Sequence, residues 1–137
     1  MEVVQEKITV PADKSKLSEL REFLRKLCKQ FSVRPNTTRR VVLAVDEAAS
    51  NIMDHGGVED ESSIEVSFEI GEAEIAVQLQ DRGVAFDPAK NKKNLPNGRA
   101  RCKRGFGLYL IHLITDNVEY YRTEDGNNVL TLTIDSR

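Results

Sequence analysis

Cysteine is scarce in this sequence, and long apolar runs are absent from it. The 137 residues include two cysteines, Cys28 and Cys102, which lie far apart without a CxxC pair or a histidine cluster, so zinc is not indicated. No run of about 18 apolar residues occurs, and a membrane span is therefore not expected. The first ten residues include Glu2 and Glu6 and no apolar signal-peptide core. We therefore expect a cytoplasmic protein.

The chain also has no strong excess of charge and no P-loop. It carries 20 basic and 22 acidic residues, for a net charge of −2, which offers no general reason to expect nucleic acid. No GxxxxGK[ST] segment occurs, so a Walker A phosphate site is excluded. The length, with 39% hydrophobic and 31% charged residues, indicates a soluble single domain with one core.

Hydrophobic periodicity predicts the element order β-α-α-β-β-loop-α-β-β. The first strand is predicted over Glu6–Val10 and is closed by Pro11. Asp13 or Ser15 then caps a first helix. That helix carries an apolar stripe at helical spacing, which is expected to face the core: Leu17, Leu20, Leu24, Leu27 and Phe31.

The second helix is predicted from about Thr37 to His55. Pro35 is expected to end the preceding element, and Asn36 is expected to serve as the N-cap. A Gly-Gly pair directly after the helix is typical of a C-terminal end. The buried face is predicted to consist of small and branched apolar residues: Val41, Ala44, Val45, Ala48 and Ile52.

Alternation of apolar and polar residues predicts four further strands in two hairpins. The first hairpin turns at Gly71-Glu72, and the second turns around Asp125-Gly126-Asn127-Asn128. A third helix is predicted to begin near Gly105-Phe106-Gly107. Strands joined by short turns form a largely antiparallel sheet, on which three helices must bury their stripes. We therefore predict an α/β (α+β) two-layer sandwich, with a mixed, mostly antiparallel sheet and three helices on one face.

A polar stripe borders the buried face of the second helix. Glu47, Asn51 and His55 follow at i, i+4 and i+8 and so share one side of the helix. An amide oxygen can ligate Mg²⁺ together with phosphate oxygens and water, and a carboxylate one turn away can accept a hydroxyl proton. The alternative interpretation is an ordinary solvated helix face.

Asp81-Arg82-Gly83 directly follows the strand that ends at Gln80. An aspartate at a strand end can accept a hydrogen bond from an exocyclic amine such as that of adenine, and a glycine lets a planar base approach the backbone. The alternative is a strand-terminating turn, which aspartate and glycine commonly form.

Gly105-Phe106-Gly107 opens the third helix, where free backbone N–H groups and the helix dipole favour phosphate. Residues 89–104 before it contain seven basic residues and no acidic one, which suits a triphosphate or an acidic partner. A flexible hinge with a solvated basic loop remains open. Nucleic-acid binding is a further alternative, but no aromatic residue is interleaved in this loop.

In their order and residue types, residues 45–56, 81–88 and 104–111 resemble the N box and the two glycine boxes of the histidine-kinase-like ATPase superfamily, which has the Bergerat fold. The short length, the N-terminal strand and helix and the closing hairpin resemble the bacterial anti-sigma-factor serine/threonine kinases. The resemblance covers nearly the whole chain and implies a single histidine-kinase-like ATPase domain, of the anti-sigma-factor kinase kind, over residues 1–137.

The resemblance implies a role for each matching residue. Glu47 would be the catalytic general base, and Asn51 would be the Mg²⁺ ligand. Asp81 would bind the adenine amine, and Gly83 would shape the pocket. Arg104 would contact the terminal phosphate or a partner. The residues implied to bind the cofactors, ATP and Mg²⁺, are Asn51, Asp81, Gly83, Phe86, Arg104, Gly105, Phe106, Gly107 and Leu108.

The implied function is that of an anti-sigma regulatory factor with protein serine/threonine kinase activity. Such a protein phosphorylates a serine of a STAS-type anti-anti-sigma protein and sequesters a sigma factor, usually as a homodimer, without contacting nucleic acid or a membrane. Ala85 stands where many superfamily members have a glycine, which puts nucleotide affinity or specificity in doubt.

Two other functions remain open from the sequence. The first is a non-catalytic switch module, in which ATP only shapes a surface that binds a regulatory protein. The second is a sensor-kinase catalytic domain that phosphorylates histidine, although the chain has no room for a separate phospho-acceptor helix pair.

Overall fold

The computed structural model describes residues 4–55, 63–83 and 110–136. The described elements follow in the order β1 (Val4–Pro11), a 3-10 turn (Lys14–Lys16), α1 (Leu17–Gln30), α2 (Pro35–His55), β2 (Ser63–Ile70), β3 (Glu74–Asp81), β4 (Asn117–Arg122) and β5 (Asn128–Asp135). Residues 110–114 are also helical and belong to the predicted third helix.

The five described strands form one sheet in the order β1-β2-β3-β5-β4. Each neighbouring pair among them is antiparallel. The hairpin between β2 and β3 turns at residues 71–73, and the amide of Gly71 donates a 2.9 Å hydrogen bond to the carbonyl of Glu74. The predicted two-layer α+β fold with a mostly antiparallel sheet is therefore confirmed.

One face of this sheet is buried beneath the helices. Alternate residues of β2 and β3 are buried, because successive side chains of a strand point to opposite faces. They share one core with the apolar faces of α1 and α2 and with Ile111. The strand residues in this core are Val10, Ile64, Val66, Phe68, Ile70, Ile75, Val77, Leu79, Leu130, Leu132 and Ile134.

The entry to α1 matches the prediction only in part, because the N-cap residue of the helix itself is Lys16, which makes no side-chain capping bond. The side chain of Asp13 accepts a 3.0 Å hydrogen bond from the amide of Ser15 and so caps the 3-10 turn before the helix. The predicted leucine stripe is buried, and Cys28 is fully buried with it. The helix ends at Gln30, and Phe31 is the half-buried C-cap residue.

The start of α2 differs from the prediction. Pro35 is the first helical residue and does not end a preceding element, and Asn36 lies inside the helix and is not its N-cap. Proline suits the first helical position because its backbone torsion is already helical and its missing N–H has no intrahelical partner there. The side chain of Asn36 accepts a hydrogen bond from Arg39 one turn later.

Arg40 ties α2 to the far end of the chain. Its guanidinium donates to the carbonyl of Ile114 at 3.0 Å and to the carboxylate of Asp116 at 3.1 Å. The same carboxylate accepts a 2.6 Å bond from the amide of Asp135, and that bond, together with Arg40, lowers the pKa of Asp116. These contacts hold the end of the helical residues 110–114 against α2 and β5.

No helix in the described part of the chain is long and apolar enough to cross a membrane.

The described core predicts how much a shortened side chain in α1 lowers the free energy of unfolding. Leu24 is fully buried, so we expect Leu24→Ala to lower the free energy of unfolding by about 3 kcal/mol, through lost apolar burial and the cavity left behind. Chemical denaturation measures this change. The matched control is Leu113→Ala, because Leu113 is 59% exposed and its truncation should cost less than about 0.5 kcal/mol. Equal costs at the two positions would contradict the described core.

Candidate functional site

Asn51 is a polar residue on the buried side of α2. Its neighbours Ala48 and Ile52 belong to the core, and Asn51 itself is 7% exposed. Its amide nitrogen Nδ2 is buried without a hydrogen-bond partner among the described residues. An unpartnered buried donor costs about 1–3 kcal/mol. A fold that retains such a group is suited to present it to a ligand.

Glu47 lies one helical turn before Asn51 and is half-buried. Burial raises the pKa of its carboxyl above the ordinary value of 4.5, and the adjacent carboxylate of Asp46 raises it further. Asp46 itself is paired with Arg21 of α1 at 2.7 Å. A carboxyl with a pKa raised by partial burial is typical of a functional site.

Asp81 ends β3 and is 5% exposed. Its Oδ1 atom accepts a 2.7 Å hydrogen bond from the amide of Gly83 and a 3.1 Å bond from Nδ2 of Asn128. The turn that the alternative interpretation proposed is thus present. The side chain lies on the helix-covered face of the sheet, because it has the same parity along β3 as the buried residues Val77 and Leu79.

Three residues of this region were missed from the sequence. Asn128 was placed in the final turn, but it is the first residue of β5 and pairs with Asp81 on one side and Arg122 on the other. Arg122 donates to the carbonyl of Gly83 at 3.1 Å and to Oδ1 of Asn128 at 2.8 Å. Tyr120 also donates to Oδ1 of Asn128, at 2.5 Å. The one signal in the sequence was Asn128, a polar residue at a position of β5 that alternation places on the buried face of the strand.

Several predicted site residues lie outside the described residues. They are Phe86, Arg104, Gly105, Phe106, Gly107 and Leu108, together with the basic run over residues 89–104. Ala85, Cys102 and the start of the third helix lie outside them as well, and so does the side chain of His55.

The described residues fit a metal-nucleotide ligand. Asn51 has an amide oxygen for a hard cation, and its N–H group, which has no partner in the described ranges, is available for a phosphate oxygen. Asp81 offers a rigidly held carboxylate at the end of the sheet. α2 packs on β3 and β5, so the two groups project on the same side of the sheet. Mg²⁺ commonly binds through one or two protein oxygens plus phosphates.

The chain belongs to the family described as the histidine kinase-like ATPase domain, whose sequence profile matches residues 10–134. Among curated relatives, it is similar to the serine-protein kinase RsbW of Bacillus thuringiensis and of Bacillus cereus, with 28% identity over 95 residues. These matches cover 65% of this chain and 59% of each relative. The chain thus spans less than two thirds of the length of those relatives.

Solved structures show the same fold. The RsbU and RsbW domains of Rv1364c from Mycobacterium tuberculosis superpose with a TM-score of 0.71 at 19% identity, over 98% of this chain and 33% of that one. The SiaB-SiaC complex from Pseudomonas aeruginosa also gives 0.71, at 16% identity, over 94% of this chain and 88% of that one. The catalytic domain of the histidine kinase ThkA gives 0.56 at 14% identity, covering 99% and 98% of the two chains.

The raised pKa of Glu47 predicts a pH-dependent stability effect. The folded protein holds this proton more tightly than the unfolded chain, so its stability falls as the pH rises from the ordinary value of 4.5 through the raised folded value. Glu47→Gln removes the ionisation and nearly preserves the shape. We expect this variant to unfold at a higher temperature than the wild type at neutral pH, with a difference that shrinks as the pH falls from the raised folded value towards 4.5 and is lost below 4.5.

Thermal unfolding across this pH range measures the effect. The control is Glu22→Gln, which removes an exposed carboxylate from α1 and tests whether loss of a surface negative charge is enough. A Glu47→Gln variant that is less stable at neutral pH, or a gain that does not depend on pH, would contradict the prediction.

Proposed function

We propose that this chain binds Mg-ATP and transfers its terminal phosphoryl group to a serine of a regulatory protein. The observation that carries the proposal is the pair on α2, where the buried amide nitrogen of Asn51 has no partner among the described residues and lies one turn after the partly buried carboxyl of Glu47. Membership of the histidine kinase-like ATPase domain family supports it.

Each predicted site residue that the structure describes has a role in this proposal. The carboxylate of Asp81 accepts the 6-amino group of adenine, and Gly83 leaves room for the base beside the backbone. Asn51 holds Mg²⁺ through its amide oxygen. Bound Mg-ATP supplies the phosphoryl group and the neutralising charge. The remaining roles rest on the resemblance alone. It assigns the phosphates to Arg104, Gly105, Gly107 and Leu108, and it adds Phe86 and Phe106 to the site.

Glu47 acts as the general base. As the serine oxygen forms its bond to the terminal phosphorus, the bond from that phosphorus to the bridging oxygen breaks and the electron pair leaves with ADP. The serine proton passes to the Glu47 carboxylate. A raised pKa makes the ionised carboxylate of Glu47 a better proton acceptor at neutral pH than that of an ordinary glutamate.

The resemblance to anti-sigma-factor kinases supports a particular partner. The relatives at 28% identity carry the name serine-protein kinase RsbW, and one structure of the same fold is of a two-protein complex, SiaB-SiaC. We therefore propose that the substrate is a STAS-type anti-anti-sigma protein, and that in its other state the chain sequesters a sigma factor, as a homodimer.

The binding site can be tested by calorimetry with ATP, with and without Mg²⁺. We expect the wild type to bind ATP, and Asp81→Asn to weaken binding about 10- to 100-fold, because a charge-assisted hydrogen bond to the base is lost. Asn51→Ala should remove only the Mg²⁺-dependent part of the affinity. Asp54→Ala is the control, since this residue is on α2 but is exposed and paired with Lys14. Absence of ATP binding to the wild type at millimolar nucleotide would refute the proposal.

The catalytic step can be tested with a cognate STAS-type protein and γ-labelled ATP. We expect Glu47→Gln to slow phosphoryl transfer by about 100-fold or more, since general-base catalysis typically contributes this much, while ATP affinity stays near that of the wild type. Transfer at an unchanged rate would remove Glu47 from the general-base role. A wild type that binds ATP and its partner without transferring phosphate would instead establish the non-catalytic switch.

A further inference from the structure

Three polar residues lie side by side across three neighbouring strands. Asp81 at the end of β3 pairs with Asn128 at the start of β5, which pairs with Arg122 at the end of β4. Asp81 and Asn128 are each 5% exposed, whereas Arg122 is exposed. A buried carboxylate is thereby connected through one amide to a cation at the surface.

The orientation of the Asn128 amide is set from both of its ends. Its oxygen Oδ1 accepts from Nη1 of Arg122 at 2.8 Å and from the hydroxyl of Tyr120 at 2.5 Å. Its nitrogen Nδ2 donates at 3.1 Å to Oδ1 of Asp81 and at 3.1 Å to the carbonyl of Gly83. A turned amide would direct its oxygen at two acceptors and its N–H groups at a cation, so Arg122 strongly favours the observed orientation.

This orientation positions the Asp81 carboxylate. The amide of Gly83 and Nδ2 of Asn128 both donate to Oδ1, so these two bonds hold the carboxylate, and the proposed function assigns the base amine to its other oxygen, Oδ2. Arg122 also donates to the carbonyl of Gly83 at 3.1 Å, which holds the backbone next to the base. The guanidinium thus supports both groups to which the proposed function assigns adenine.

The contacts of Arg122 do not suggest a surface ion pair. In the part of the chain that the structure describes, no carboxylate lies within ion-pair distance of it, although six other Lys and Arg side chains do form such pairs. Its described hydrogen bonds go to two neutral oxygens. A cation whose described hydrogen bonds all go to neutral groups beside the predicted base site is suited to positioning those groups.

We propose that Arg122 is a positioning residue that acts through Asn128 on Asp81, and that this row determines selectivity for a purine bearing a 6-amino group. The inference rests on the proposed function, because it assumes that Asp81 receives the base. Arg122 itself need not touch the nucleotide. Its loss should therefore weaken recognition of the 6-amino group specifically, and leave the contribution of the phosphates intact.

The test compares ATP with purine riboside triphosphate, which is the same nucleotide without the 6-amino group. Calorimetry in Mg²⁺ measures both dissociation constants for the wild type and for Arg122→Ala. We expect the wild type to prefer ATP. Arg122→Ala should weaken ATP binding about tenfold, because the charge-assisted hydrogen bond between Asp81 and the base amine is no longer well positioned. Binding of the analogue, which lacks this amine, should change little. The selectivity ratio then falls about tenfold as well.

Two further variants make the result specific. Arg25→Ala removes the same charge from an exposed position on α1, and both dissociation constants should stay within about twofold of the wild type because the charge is remote and screened. Tyr120→Phe keeps the ring and removes the second donor to Asn128, so it should lower the selectivity ratio in the same direction. This variant also serves if Arg122→Ala fails to fold, which thermal unfolding without nucleotide detects.

Each other outcome is decisive. Equal weakening for both nucleotides would show that Arg122 acts on the phosphates or on overall charge, and unchanged selectivity in Arg122→Ala and Tyr120→Phe would show that the row does not position Asp81. Both overturn the inference. A wild type that binds ATP and the analogue equally overturns it as well, but leaves ATP binding standing. A wild type that binds neither nucleotide refutes the proposed function and the inference with it.

Discussion

The burial of α2 between α1 and the sheet is the interaction on which the candidate site depends. The helix buries a continuous apolar face against both neighbours, and this face extends as far as Ile52. Asn51 lies beside that face and is carried into the interior with it. Glu47, one turn earlier, is carried only partly inside, and its pKa rises for that reason. The apolar packing of one helix therefore supplies the energy that buries Asn51 and partly buries Glu47.

The sheet supplies the other polar group of the site, Asp81, whose charge is stabilised by hydrogen bonds within the sheet. Asp81 is buried, but its burial is compensated locally, because Gly83 and Asn128 donate to it and Arg122 supports Asn128. Asn51 lacks such compensation among the described residues. A satisfied carboxylate can be rigid before any ligand binds, whereas an unsatisfied amide gains a partner on binding. The two halves thus suit a fixed recognition group and a ligand-dependent one.

Much of the fold could be predicted from periodicity, because apolar residues that recur every two or every three to four positions can be buried in one way only. The leucine stripe of α1 and the alternating residues of β2 and β3 are examples. The start of α2 was predicted wrongly, since Pro35 was taken as a terminator when its rigid backbone also suits a first helical turn. Glu47, Asn51 and Asp81 were selected from the sequence as polar residues beside apolar ones, but their burial and the raised pKa of Glu47 required the packed structure. Their proposed chemistry stays a prediction.

The sequence by itself determined the element types, the side of each element that faces the core and the family to which the chain belongs. These properties follow from local spacing and from short ordered motifs, which are present in the chain whatever its tertiary contacts. Only the tertiary structure decided that Asp81, Asn128 and Arg122 form one row. Asp81 and Asn128 are 47 positions apart, and their contact depends on which strands become neighbours and in which register. That choice is made by the burial of the whole sheet face, because a shift of one residue would turn every core side chain towards solvent.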